Sequence, residues 1–357
     1  MNTELPRNRT RTFCRVGVAT IGVIYFLILV GGIVRASGAG MGCPDWPTCF
    51  GRWVPPVSES QLPADYQQTY ADLGYRDTRF NVRKTWTEYL NRLLGVLTGL
   101  MIIATTWCAW RIRQVAPGVF GFSMAALLLV IFQGWLGSRV VASNLAPGMI
   151  TLHMLVAQVI VCLVIYAVML VVFARDGGVS RAAPDAAHDS VSSTSATALL
   201  SSQWVWALAL VTIVVSLGQL LLGTQVREAV DLVAKQSDYQ NRHLWIDNLP
   251  VIFAFHRYLS IPAVLLNVAL LVVWFQAARS TAYLKFCALS LLLLVAGATV
   301  MGMSMDQLHL PMFAQPLHLW FASMILGIQF TGLLIMLRHR HGHAAVSAAD
   351  LQAVEGT

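Results

Sequence analysis

The stretch EYLNRLLG, Glu88 to Gly95, decides how this chain is read. It opens a long apolar run, yet it sets an acid, an amide and an arginine within five residues. FAFHRYLS, Phe253 to Ser260, repeats the frame with His256 in place of Asn91 and Phe253 in place of Glu88. The same offset of 165 residues relates His153 in TLHMLVAQ to His318 in PLHLWFAS, and Gly137 to Gly302. In both copies 62 residues separate the two key positions, 91 from 153 and 256 from 318. Unrelated helices would not keep that register. We read an internal duplication, two pseudo-symmetric four-helix bundles related by an axis along the membrane normal.

Composition sets the solvent. Of 357 residues 57% are hydrophobic and 11% charged, against about 25% charged in soluble domains, and mean hydropathy is +0.64. Eight apolar runs approach or exceed the roughly 20 residues that cross a bilayer: 17–35, 89–110, 119–138, 150–173, 204–223, 253–275, 284–303 and 316–337. In lipid the backbone must satisfy its own hydrogen bonds, so these are expected as helices. The fold class is an all-α polytopic membrane protein with eight transmembrane helices. The formal charge of +7 reflects basic residues beside the spans, and no nucleic-acid partner is expected. The N-terminal run carries no small-residue cleavage pattern and is read as a retained first span.

Basic residues cluster at 7–15, 111–113, 175–181, 279–285 and 338–340, on one side of an alternating topology, while the 304–315 loop opposite has none. This places both termini inside. Segment 176–203 is rich in Ser, Ala, Asp and Gly and reads as a flexible cytoplasmic linker. The expected division is 1–175, the linker, 204–338, and a tail over 339–357. REAVDLVAK, 227–235, is expected as a short interfacial helix with Val226, Val230 and Val233 on one face.

His256 and His318 begin facing helices at similar depth. Two neutral imidazoles across a bundle suit the axial positions of a haem iron; the plainer alternative is two core histidines satisfied by hydrogen bonds. His153 has Asn91, a poor iron ligand, at its partner position. A haem there would be held on one face and open on the other, unless this half is a decayed copy. Glu88 lies one turn before Asn91 on the same side and has no acidic counterpart. It either handles protons or merely stabilises a helix N-terminus. Arg35, Arg92, Arg139, Arg227 and Arg257 lie near the outer ends of spans and could bind the propionate carboxylates of haem or snorkel to headgroups. Cys43 and Cys49 lie in the first outer loop, where an oxidising compartment would favour a disulfide over free thiols. His243 and Trp245 either cover the second site or anchor at the interface.

Together GGIVRASGAGMGCPDWPTCFG (31–51), EYLNRLLG (88–95), QGWLGSRVVASNLAPGMITLHMLVAQ (133–158), FAFHRYLS (253–260) and QPLHLW (315–320) resemble the haem A synthase family over about residues 15–338. The resemblance implies oxidation of the C8 methyl of haem O to a formyl by successive hydroxylations. It implies a haem b cofactor on His256 and His318, a substrate-haem site with His153 as ligand, a catalytic glutamate at Glu88 and a cysteine pair at Cys43 and Cys49. It also implies a bacterial-type inner-membrane location, with membrane lipid, a haem O synthase, a terminal oxidase and an electron donor of unknown identity as partners. The family usually has histidine where this chain has Asn91. The rival readings are a b-type electron-transfer cytochrome and a haem-binding chaperone or sensor without turnover.

Overall fold

The computed structural model describes residues 7–76, 79–180, 199–200, 202–237, 240–277 and 282–355. Among them, eight helices are long and apolar enough to cross a membrane, which makes this a multi-pass membrane protein. We label them α1 (Arg7–Ala36), α2 (Val82–Trp110), α3 (Pro117–Ala142), α4 (Pro147–Ser180), α5 (Gln203–Gln236), α6 (Val251–Ala277), α7 (Ala282–Gln307) and α8 (Ala314–Glu355). No strand is found among the described residues.

The helices outrun the apolar stretches that announce them. α2 starts at Val82, where the Asn81 side chain accepts from the Lys84 amide at 3.1 Å and caps the first turn. Glu88 therefore lies well inside the helix, which removes the helix N-terminal role. α5 continues to Gln236 without a break, so 227–235 is not a separate interfacial helix. Val230 and Ala234 pack with Trp245 and Leu310 instead of facing lipid. Trp245 is thus a buried part of this small cluster, while His243 is exposed. α4 takes in the first residues of the expected linker, whose stretch 181–198 lies outside the described residues.

The eight helices pack as two rings of four. α1 meets α2 and α4, α2 meets α3, and α3 meets α4, closing one ring of four. α5 meets α6 and α8, α6 meets α7, and α7 meets α8, closing a second. The rings join through α1–α8, α4–α5 and α4–α8. α4 and α8 are the central helices: half of each apolar window is buried, against 22–28% for the others.

The offset of 165 recurs in detail. Gln158 Nε2 donates to Ser323 Oγ at 2.9 Å in the buried seam between α4 and α8, and these two residues are equivalent positions of the repeat. Asn144 and Leu145 turn the chain between α3 and α4 with φ of 52° and 61°. His309 and Leu310 turn it between α7 and α8 with φ of 53° and 61°. Leu145 N–H donates to Val140 O, and Leu310 N–H to Met305 O, each at 2.9 Å. α1 and α5 match at a larger offset, 192, because the first half inserts a longer loop before its second helix.

That loop, residues 37–81, caps one end of the first bundle. Cys43 and Cys49 form a disulfide. The Phe50 ring meets Tyr66, Tyr70, Tyr75 and Phe80 edge-on, with centroids 5.4–6.1 Å apart. Asp45 accepts from the amides of Phe50 and Gly51 and from the Thr48 hydroxyl. Burial is the main reason the Tyr75 hydroxyl is far harder to ionise than a free tyrosine, and it donates to Met41 O.

Candidate functional site

Four polar positions face into the two rings, and each lies against a glycine. A Cβ on Gly223 would sit 3.3 Å from His256 Cε1, and one on Gly302 would sit 3.3 Å from His318 Cε1. In the first half a Cβ on Gly137 would lie 3.5 Å from His153 Cε1, and one on Gly31 would lie 3.8 Å from Asn91 Oδ1. Gly31 and Gly223 are equivalent at the offset of 192, and Gly137 and Gly302 at 165. The bare backbone lets each ring or amide lie close to its neighbouring helix.

Further polar contacts hold these turns in place. Gln133 Nε2 donates to His153 O at 2.9 Å, and Gln219 Nε2 donates to His256 O at 2.8 Å. His318 Nδ1 donates to Ala298 O at 2.8 Å, which leaves Nε2 as the bare nitrogen. The Nδ1 atoms of His153 and His256 and the Oδ1 of Asn91 are buried without a hydrogen-bond partner. A buried polar atom left unsatisfied is costly, and three of the four positions carry one.

The second half suits a metal held between two imidazoles. A metal–nitrogen bond of about 2.0–2.1 Å puts each ring centre roughly 3 Å from the metal, so two axial rings need centres about 6 Å apart. The rings of His256 and His318 have centroids 6.2 Å apart, with planes at 77°. The first half has the same glycine-lined frame but a carboxamide where His256 stands.

Glu88 is 4% exposed and forms the roof of the first half. Its Oε2 accepts from the Cys43 amide at 2.8 Å, and its Oε1 accepts from Arg92 Nε at 3.1 Å and Nη2 at 2.5 Å. Arg92 Nη1 also donates to Asp45 O at 2.6 Å and Thr48 O at 2.9 Å, and Nη2 to Cys43 O at 2.9 Å. A guanidinium has five N–H donors, and these five bonds match them. Arg92, which the sequence offered as a propionate partner, directs its donors here to the disulfide loop and Glu88. Thr85 Oγ1 donates to Gly42 O at 2.9 Å, and a side chain at Gly42 would collide with the Lys84 carbonyl.

The other arginines are placed differently. Arg35 on α1 and Arg227 on α5 both pair with Asp231, at 3.3 and 2.8 Å. Arg257 pairs with Asp306 at 3.3 Å on an exposed face. Arg139 is exposed and has no ion pair among the described residues.

Reading the sequence singled out the histidines, Asn91, Glu88 and the cysteines. It missed Gly31, Gly223, Gln133, Gln219 and Asp231. The glycines were within reach once α1 was aligned with α5 separately from the other helices.

The chain is also similar to known proteins. A family described as cytochrome oxidase assembly protein, COX15-CtaA, matches residues 15–330. The chain is 26% identical over 241 residues to a heme A synthase of Shewanella oneidensis, covering 66% of this chain and 63% of that protein. It is 30% identical over 139 residues to a heme A synthase of Alkalihalophilus pseudofirmus, 38% of each chain. Over 130 residues it is 29% identical to the heme A synthase COX15 of Homo sapiens, 35% of this chain and 32% of that one. The matched stretches thus span less than two thirds of these relatives' lengths.

Proposed function

Because the chain belongs to the COX15-CtaA family of cytochrome oxidase assembly proteins, we propose that it is a haem A synthase. It would oxidise the C8 methyl of haem O to a formyl by successive hydroxylations. The observation that carries this reading is the unequal pair of sites: one frame with two facing histidines, and its copy with Asn91 opposite His153 and Glu88 above.

In this reading His256 and His318 hold haem b in the second half. That group, when bound, would supply electron transfer, with both imidazoles engaged in holding it. The first half receives haem O. His153 holds the substrate iron on one side, with its turn fixed by Gln133. Asn91 replaces a second ligand with a group that hydrogen-bonds and does not close the other face. The four glycines give the haem-facing side chains room to lie against their helices.

Glu88 acts at the roof of the substrate site. Arg92 and the Cys43 amide fix its carboxylate, so its charge sits at a constant place one turn from Asn91. There it handles protons released as the methyl is oxidised, or steadies positive charge developing at that carbon. Arg35, Arg139, Arg227 and Arg257 remain the candidates for haem propionates.

The loop end faces the outside of a bacterial-type inner membrane, and both termini lie in the cytoplasm. The proposed division is a substrate half over 1–175, a linker over 176–203, a haem b half over 204–338 and a tail over 339–357. The surrounding partners are lipid, a haem O synthase that supplies substrate, a terminal oxidase that takes the product, and an electron donor. Co-expression with a haem O source followed by acid extraction tests the activity. Haem A in the extract is the expected result. Bound haem b without any haem A would make the chain a cytochrome or a haem carrier.

A further inference from the structure

Arg35 and Arg227 are equivalent at the offset that relates Gly31 to Gly223. Each lies four residues beyond its glycine, on the same helical face and about 6 Å nearer the loop end. Gly31 faces Asn91, and Gly223 faces His256. The two guanidiniums therefore stand one turn above the two ligand positions.

One carboxylate joins them. Asp231 Oδ1 accepts from Arg227 Nη2 at 2.8 Å, and Oδ2 accepts from Arg35 Nη2 at 3.3 Å. Arg227 Nη2 also donates to Arg35 O at 3.2 Å. One turn below, Thr151 and Thr224 share a hydrogen bond at 2.9 Å, and Gln225 Nε2 donates to Thr151 Oγ1 at 2.9 Å. This polar seam ties α4 and α5 together beneath the triad. The repeat places Ala39 where the second half has Asp231, and the two equivalent arginines meet at that one carboxylate.

We propose that Asp231 competes with the carboxylates of the substrate haem for Arg35, pairing with it until substrate displaces it. The inference rests on the reading of the first half as a haem substrate site. Asp231 and Arg227 lie four residues apart on one helix, so they stay together. Arg35 is reached across the seam between two bundles, at the longer distance. The Asp231 side chain is 37% exposed, and water screens such a pair. A bidentate haem carboxylate can displace it, and it can return when the product leaves. The substrate site thereby stays exchangeable, whereas the second half keeps its haem through two histidines.

The test uses the full-length protein with its resident haem, loaded with one further equivalent of haemin and challenged with excess apomyoglobin. Asp231→Asn should slow loss of the added haemin roughly two- to five-fold, the range of a screened ion pair. With haemin dimethyl ester, which lacks free carboxylates, variant and wild type should release alike. The resident-haem spectrum reports folding, and Asp231→Ser serves if the asparagine variant fails that check. Unchanged or faster haemin release would overturn the proposal, as would a slowing that persists with the ester. If wild type takes up no further haemin, the first-half reading falls and this inference with it. Normal uptake with unaltered release would remove the inference alone.

Discussion

Glu88 and Arg92 lie one turn apart on α2 and meet at 2.5 Å, and both also bind the loop closed by Cys43 and Cys49. The carboxylate accepts a loop amide while the guanidinium donates to three loop carbonyls. The pair is therefore a joint between helix and loop as well as a charge at the roof of the site. That double duty separates two effects of mutation.

Glu88→Gln keeps the size and removes the charge. Resident haem should be retained, while haem O or its hydroxymethyl product accumulates. The rate of formyl formation should fall on the order of a hundredfold, the scale of a lost acid–base group. Chromatography of extracted haems reads this directly; normal haem A output would remove Glu88 from the chemistry.

Arg92→Ala strips five hydrogen bonds and leaves Glu88 buried beside the loop. Breaking a buried pair by removing one partner costs about 3–5 kcal/mol; with the Arg92 side chain 13% exposed, the lower end is expected. Limited proteolysis should cut the 37–81 loop faster. Arg92→Lys should rescue little, because one ammonium cannot reach three carbonyls and a carboxylate.

The histidines should separate by half. His256→Ala or His318→Ala should abolish the resident haem spectrum. His153→Ala should keep that spectrum and lose uptake of added haemin. Asn91→His should turn the added haem low-spin by completing a second bis-histidine site. Optical titration checks all four, and a His153→Ala protein that still binds added haemin would refute the assigned ligand.

Gly302→Ala places a methyl 3.3 Å from His318 Cε1. Overpacking costs about 1–3 kcal/mol, but alanine favours a helix over glycine by about 1 kcal/mol. Thermal stability should therefore change little, while the imidazole must shift by a few tenths of an ångström. Faster loss of resident haem to apomyoglobin is expected; unaltered retention would show that the ring has slack.

Much of this was legible in the sequence because the repeat acts as an internal control. His256 against Asn91, and Phe253 against Glu88, are visible without coordinates. The spans followed from apolar length, though α5 ran on past its apolar stretch because Val230 and Ala234 found Trp245 and Leu310 to pack against. The loop-holding role of Arg92 was not legible because its carbonyl partners lie more than forty residues away and leave no mark in side-chain pattern. Asp231 was missed for a similar reason: its link to Arg35 exists only once the two bundles are packed together.

The contact between Gln158 and Ser323 has a consequence for symmetry itself. A two-fold axis between identical chains brings a residue there against its own copy, so one side chain must serve both sides. In a single covalent chain the two positions diverge independently. Here one supplies an amide donor and the other a hydroxyl acceptor. A single chain is thus free of self-complementarity at such a seam, and under the proposed function the same freedom lets one half hold a haem while the other is shaped around its substrate.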